Sequence, residues 1–327
     1  MNFIGIDKKE LIRIISSMKN GGEKMSETPI YKLCKKMSAL RNKPTLTLII
    51  HNSLGQSHIL DVHKIVRKRK FEELDLILHS SGGQVSAAYQ ILELIKTHSE
   101  HLTIFIPIYA KSAATIFVLG CSKIIMSELA ELGPLDTQVL ERKEGSLEYT
   151  SALNPFKTIE ELQRFALRMF DQSVRLLLSR ADYSVEEAVK HSMDFAARVT
   201  APMFSQIRVE KMGEYSRALQ IGLEYGRRLL KRYGKISEDN HDIILKKLIY
   251  GYPSHDYIID YKEMKDIGFD VELPSDEEAE ILHEIVLALA EDKRSEDQKD
   301  EINLIEKVVA NEGIQEVLGD KKGISPQ

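Results

Sequence analysis

Several function classes are ruled out by what this chain has little of. Its 327 residues include only two cysteines, Cys34 and Cys121. These are too few for a disulfide framework and too far apart for a paired metal or redox motif, so both read as reduced thiols of a cytoplasmic protein. Long apolar runs are missing as well. The longest are strand-sized, and Asp7, Lys8, Lys9 and Glu10 interrupt the start, so neither a secretory leader nor a membrane span is expected. Charge of one sign is not in excess: 45 Lys and Arg against 50 Asp and Glu give a formal net charge of -5, which supplies no global field for nucleic acid. The compact basic run Lys64, Arg67, Lys68, Arg69 and Lys70 is followed at once by Glu72, Glu73 and Asp75, and reads as a solvated helix end. The chain also lacks a Gly-x-Gly-x-x-Gly fingerprint, a P-loop lysine and a His-Glu-x-x-His pair, so no nucleotide, organic cofactor or metal is expected. No internal repeat stands out.

A composition 43 % hydrophobic and 29 % charged suits a folded protein, long enough for one substantial core with an appendage. The pattern becomes regular at Thr45. Residues 45–50, 74–79, 102–108 and 123–126 read as strands; helices are expected at 57–69, 85–96 and from Ser112. Short apolar strands alternating with longer helices favour an α/β fold with a mostly parallel sheet covered on both faces. Residues 141–157 read as an excursion or boundary, followed by helices at 158–180, from 182, at 205–233 and at 241–249. A turn at 251–256 precedes an acidic helical region after Pro274, and residues 321–327 read as a mobile end. An initial helix is expected at 8–18. The division is an N-terminal helical cap or adapter (1–44), an α/β catalytic domain (45–274) with a helical insertion (141–240), and an acidic helical extension (275–327).

Two strand-to-helix junctions carry the chemistry. Ser112 follows an apolar strand and opens a compact apolar helix, where unsatisfied first-turn amides can stabilise an oxyanion. An ordinary serine N-cap would occupy the same place. Upstream, Leu76 to Ser81 runs into Gly82-Gly83, a turn whose backbone can approach a reacting carbonyl. A structural glycine turn, or a phosphate site at the helix end, fits the same residues.

Three segments, Ser80-Ser81-Gly82-Gly83, Ala110-Lys111-Ser112-Ala113-Ala114-Thr115 and Glu131-Leu132-Gly133-Pro134-Leu135-Asp136-Thr137-Gln138, together resemble the serine dehydrogenase proteinase family, itself similar to Clp-type proteases and signal peptide peptidase A. The resemblance covers about 45–139 and returns near 252–271. It implies a ClpP/crotonase-like spiral of ββα units with helical additions, Ser112 as nucleophile, the Gly83 and Ala113 amides as oxyanion hole, and a homo-oligomer.

The general base is less plain. The Clp-type histidine belongs to the strand after the serine helix, and residues 126–136 contain none. Near the family's acid position stands Tyr252-Pro253-Ser254-His255-Asp256, so Asp256 matches the acid and His255 could supply the base. Asp136 stays open as another acid and Lys111 as a Ser-Lys partner, though an exposed lysine remains protonated near neutral pH. The expected activity is a serine endopeptidase acting on peptide or unfolded-protein substrates. A non-proteolytic hydrolase or acyl-transfer enzyme on the same core, and an inactive oligomeric interaction protein, remain as alternatives.

Overall fold

A computed structural model describes residues 28–143, 146–180, 182–292 and 300–305; the helix expected at 8–18 and the end at 321–327 lie outside them. The chain order is α1 (Pro29–Arg41), β1 (Thr45–Ile50), α2 (Gln56–Val66), β2 (Phe71–Ser80), α3 (Val85–His98), β3 (Ser99–Ile106), β4 (Tyr109–Ala110), a 3-10 helix (Ser112–Gly120), β5 (Lys123–Met126), β6 (Glu131–Leu132), β7 (Gln138–Lys143) and β8 (Ser146–Ser151). Then follow α4 (Asn154–Arg180), α5 (Val185–Phe204), α6 (Val209–Tyr233), α7 (Glu238–Tyr250), α8 (Tyr261–Ile267), β9 (Val271–Glu272), α9 (Asp276–Asp292) and β10 (Glu301–Ile305).

The main sheet runs β10-β1-β2-β3-β5-β9. Every pairing from β1 to β9 is parallel, and β10 closes the β1 edge antiparallel. Burial on both faces is why these strands read as continuous apolar runs. The period-two alternation of a strand then divides the core. Leu46, Leu48, Ile50, Leu76, Leu78, Ile104 and Ile106 pack with α2, α3, the 3-10 helix, α6 and α7. Ile49, Ile77, Phe105 and Ile125 face the other way, onto α1 and α9. Short β4 leaves the main path, pairing with the end of β2 through Ser80 and Ala110 and with β6 on its other side.

The alternation expected from the sequence is present, with several differences, of which three change the architecture. Residues 138–151, whose later part was expected to be an irregular excursion, form the antiparallel hairpin β7–β8. Helix α4 starts at Asn154, four residues early; Pro155 sits in its first turn, where a missing N–H costs nothing. The acidic region after Pro274 is not helical throughout, since β10 returns to the sheet and sets Ile305 in the α1–α9 core.

One buried ion group joins three elements. Arg41 of α1 donates to Asp75 of β2 (Nε to Oδ2, 2.5 Å) and to Glu278 of α9 (Nη1 to Oε1, 2.7 Å). Its guanidinium lies 5.0 Å from the centre of the Phe105 ring. Asp75 is 1 % exposed, and burial pushes its carboxyl up while Arg41 opposes that shift. Losing the cation strands a buried charge, so Arg41→Ala is expected to cost about 3–5 kcal/mol of unfolding free energy. Lys43→Ala, which breaks a pair with the half-exposed Glu73, should cost below about 1 kcal/mol. Urea denaturation of both variants measures the contrast.

Candidate active site

The Ser112 backbone is in a conformation that serine seldom adopts. Its φ is 52°, and among the described residues the only other non-glycine with positive φ is Asn42. Asn42 ends α1 in the left-handed helix-cap conformation that asparagine tolerates; Ser112 instead begins a helix. Close backbone packing holds it there. A Cβ on Gly82 would come within 2.7 Å of the Lys111 carbonyl and 2.8 Å of Ser112 Cβ, and one on Gly133 within 3.2 Å of Ser112 N. The Lys111 amide donates to the Ser80 carbonyl (3.0 Å), and the Ala114 amide to the Lys111 carbonyl (2.9 Å). The Thr115 hydroxyl lies 2.8 Å from the Gly133 carbonyl and 3.0 Å from that of Ala110, tying together the two segments that flank the serine. Lys111 takes the cap position, with no side-chain capping bond. Ser112 itself is 7 % exposed, and its hydroxyl forms no hydrogen bond among the described residues.

The glycine turn is built with equal closeness. Gly82 and Gly83 have φ of 106° and 146°, where a side chain would be strained. Leu54 bridges this turn in parallel fashion: its amide donates to the Gly82 carbonyl and its carbonyl accepts from the Gln84 amide, both at 2.8 Å. A Cβ on Gly83 would collide with the Leu54 backbone.

His255 is brought to Asp136 across 119 residues of chain, its Nδ1 2.8 Å from Asp136 Oδ1. Asp136 is 2 % exposed, and its other carboxylate oxygen accepts from the Ser151 hydroxyl. Ser151 in turn accepts from the Leu153 amide at 3.2 Å. The adjacent loop is fixed to β6, for Leu132 and Ile259 exchange both backbone hydrogen bonds (2.9 and 3.0 Å). Asp256, the acid expected from the sequence, is exposed, and the Nδ1 of His255 faces Asp136 instead. No hydrogen bond joins His255 to Ser112. Ser151, which ends a hairpin in a segment expected to be irregular, carries no sequence signal that would have singled it out.

Residues 50–191 match the family model of the ClpP-like SDH-type serine proteinases. Over that span the chain is homologous to this family. An uncharacterized protein of Methanocaldococcus jannaschii is 27 % identical over 78 % of this chain and 77 % of its own length. A second uncharacterized protein of that organism is 25 % identical over 61 % of this chain, which spans about half (51 %) of the relative. ClpP1 from Listeria monocytogenes is 17 % identical, with 49 % of this chain and 84 % of that chain covered and a TM-score of 0.25.

The ClpP-like segment contains Gly83, Lys111, Ser112, Ala113, Asp136 and Ser151; His255 and Asp256 lie beyond it. Other candidate groups are engaged elsewhere. Lys111 Nζ is 2.6 Å from Glu131 Oε1, an ion pair that turns its amine to a carboxylate. Cys34 and Cys121 are buried thiols, each pushed up to about 12 by desolvation and so disfavoured as thiolates. Among the described residues no group of three or more His, Cys, Asp or Glu could hold a metal, and no helix is long and apolar enough to cross a membrane.

Thr115 is the residue whose loss isolates this packing. Thr115→Val keeps its shape but removes the hydroxyl from two buried carbonyls, and is expected to lower stability by about 1–3 kcal/mol. It should also slow labelling of Ser112 by a fluorophosphonate. Thermal melts and labelling rates, taken together, check both effects.

Proposed function

We propose that this protein is a serine endopeptidase of ClpP-like, spiral ββα architecture, acting in the cytoplasm on peptide or unfolded-protein substrates. One contact carries this reading: the His255 Nδ1–Asp136 Oδ1 hydrogen bond of 2.8 Å. A carboxylate can only accept, so it favours the tautomer with Nδ1 protonated and leaves Nε2 as the basic nitrogen. A base oriented by a carboxylate is what a serine nucleophile requires.

In the proposed reaction Ser112 Oγ attacks the scissile carbonyl while His255 Nε2 takes its proton. The imidazolium that forms is stabilised by Asp136, which remains ionised. The tetrahedral oxyanion is received by the Gly83 and Ala113 amides. Two observations support that pair. The Leu54 bridge uses the Gly82 carbonyl and the Gln84 amide, leaving the Gly83 N–H outside the ladder. Ala113 lies in the first turn of the 3-10 helix, where amides lack an acceptor within the helix. His255 then donates its proton to the leaving amine, and water hydrolyses the acyl-enzyme by the same steps. Catalytic hydrogen bonds often tighten only with substrate in place, which accommodates the absence of a Ser112–His255 bond. That absence equally favours a second reading, an inactive oligomeric interaction protein, and serine labelling separates the two.

We also propose self-association. Helix α4 buries none of its side chains, and α5 packs beside it through Ala188, Ser192, Ala196 and Thr200. Together they leave Leu167, Val185 and Met193 60 % exposed or more. Apolar side chains carried this far from the core favour a packed neighbour.

A fluorophosphonate should label the wild type but not Ser112→Ala, and peptide hydrolysis should vanish with the label. Asp136→Asn, which disturbs the tautomer, should reduce kcat by about 10⁴-fold, as should His255→Gln within about a factor of ten. Asp256→Asn should stay within twofold, about the scatter of such assays; a loss matching that of Asp136→Asn would return the acid to Asp256. Light scattering that finds only monomer at working concentrations would reject the self-association.

A further inference from the structure

The loop that cradles Gly83 is itself held from the far end of the chain. Strand β10 runs antiparallel to β1, with Glu301 opposite Ile49; Asp300 therefore stands beside the exit of β1. Its Oδ1 accepts from the amides of His51 and Asn52 at 2.8 and 3.2 Å. Its Oδ2 lies 3.0 Å from Nε2 of His58, a residue 7 % exposed. The Gly55 amide donates to His58 Nδ1 at 2.9 Å. An acceptor at Nδ1 places the proton of the neutral ring on Nε2, which donates to Asp300. Burial opposes its charge, yet these hydrogen bonds hold Asp300 below the ordinary carboxylate range. One carboxylate thus fastens both ends of residues 51–58, and between them Leu54 makes the two backbone bonds that set the Gly82–Gln84 turn.

We propose that Asp300 is a positioning residue for the oxyanion turn, acting through the 51–54 loop on the direction of the Gly83 N–H. This rests on the reading of Gly83 as an oxyanion donor. The carboxylate is suited to the task because it needs only to accept at all three contacts. An asparagine must turn its NH2 group either toward the His51 and Asn52 amides or toward the His58 N–H, so one set is lost and a donor opposes a donor.

Asp300→Asn, the isosteric change, tests this in two ways. Amide hydrogen exchange over residues 81–85 should become faster in Asp300→Asn than in the wild type, with and without Ser112→Ala in the background. Exchange there unchanged in a folded Asp300→Asn overturns the proposal, whatever the protein's activity. Fluorophosphonate labelling of Ser112 should show kinact reduced about ten- to a hundred-fold, part of the effect of removing an oxyanion donor, with KI within about twofold. An unchanged kinact, or a rise in KI alone, also overturns it. His58→Gln keeps the carboxylate while loosening it and should give a smaller loss in kinact, so it stands in if Asp300→Asn does not fold. A wild type that is never labelled at Ser112 would sink the peptidase reading instead, and the exchange measurement alone would then decide the coupling.

Discussion

The site depends on a close approach of three backbones at Ser112. A non-glycine residue at φ 52° carries strain of about 1–3 kcal/mol, and it persists only because its surroundings leave no other conformation. Gly82 on one side and Gly133 on the other admit no Cβ without a shift, and the Thr115 hydroxyl bridges the carbonyls before and beyond the serine. The three motifs that appear unconnected in sequence are therefore three sides of one contact. Gly82 comes from the first, Ser112 and Thr115 from the second, and Gly133 from the third.

Parallel strand pairing explains why these sides converge. Strands β1, β2, β4 and β6 all run the same way, so their C-terminal ends share one edge, and the segments that leave them carry Leu54, Gly82 and Gly83, Ser112, and Gly133 to Asp136. In open α/β sheets this edge is where ligands bind. The antiparallel β10 presents its N-terminal end at the same edge, which is why a residue some 250 positions downstream, Asp300, can reach the exit of β1. The same carboxylate on a parallel strand would stand at the opposite edge.

The α/β alternation and the serine junction were legible in the sequence because both are local signals: strand-length apolar runs, helical periodicity, and glycine where φ must be positive. The partner of His255 was left open between Asp256 and Asp136. The resemblance put Asp256 at the acid position, yet residues 254–257 form a turn that leaves Asp256 exposed while the ring reaches Asp136. Asp136 stayed open as an alternative but could not be chosen over Asp256, because the approach of a loop 119 residues away is set by the Leu132–Ile259 bridge, a backbone pairing without a side-chain code. Strand β10 was missed for another reason. Five residues, Glu301 to Ile305, follow an acidic helix, and a short edge strand has too few positions for a period to show.

The described structure separates the parts that hold the fold from those proposed to do chemistry. The Arg41–Asp75–Glu278 group lies on the α1–α9 face, whereas Ser112 and the helix it opens pack into the opposite core. Folding free energy supplied anywhere in the chain offsets strain at the serine; a stiff sheet is what keeps that strain from relaxing. The tightly filled strands meet that condition, since Ile49, Ile77 and Phe105 face one core while their immediate neighbours Leu48, Leu78 and Ile104 face the other, all fully buried. Close-packed interiors transmit small displacements with little damping. A strained serine on such a sheet is therefore positioned by the whole core and not by its loop alone, which is the rigidity that a nucleophile and a pair of amide donors on separate segments must share.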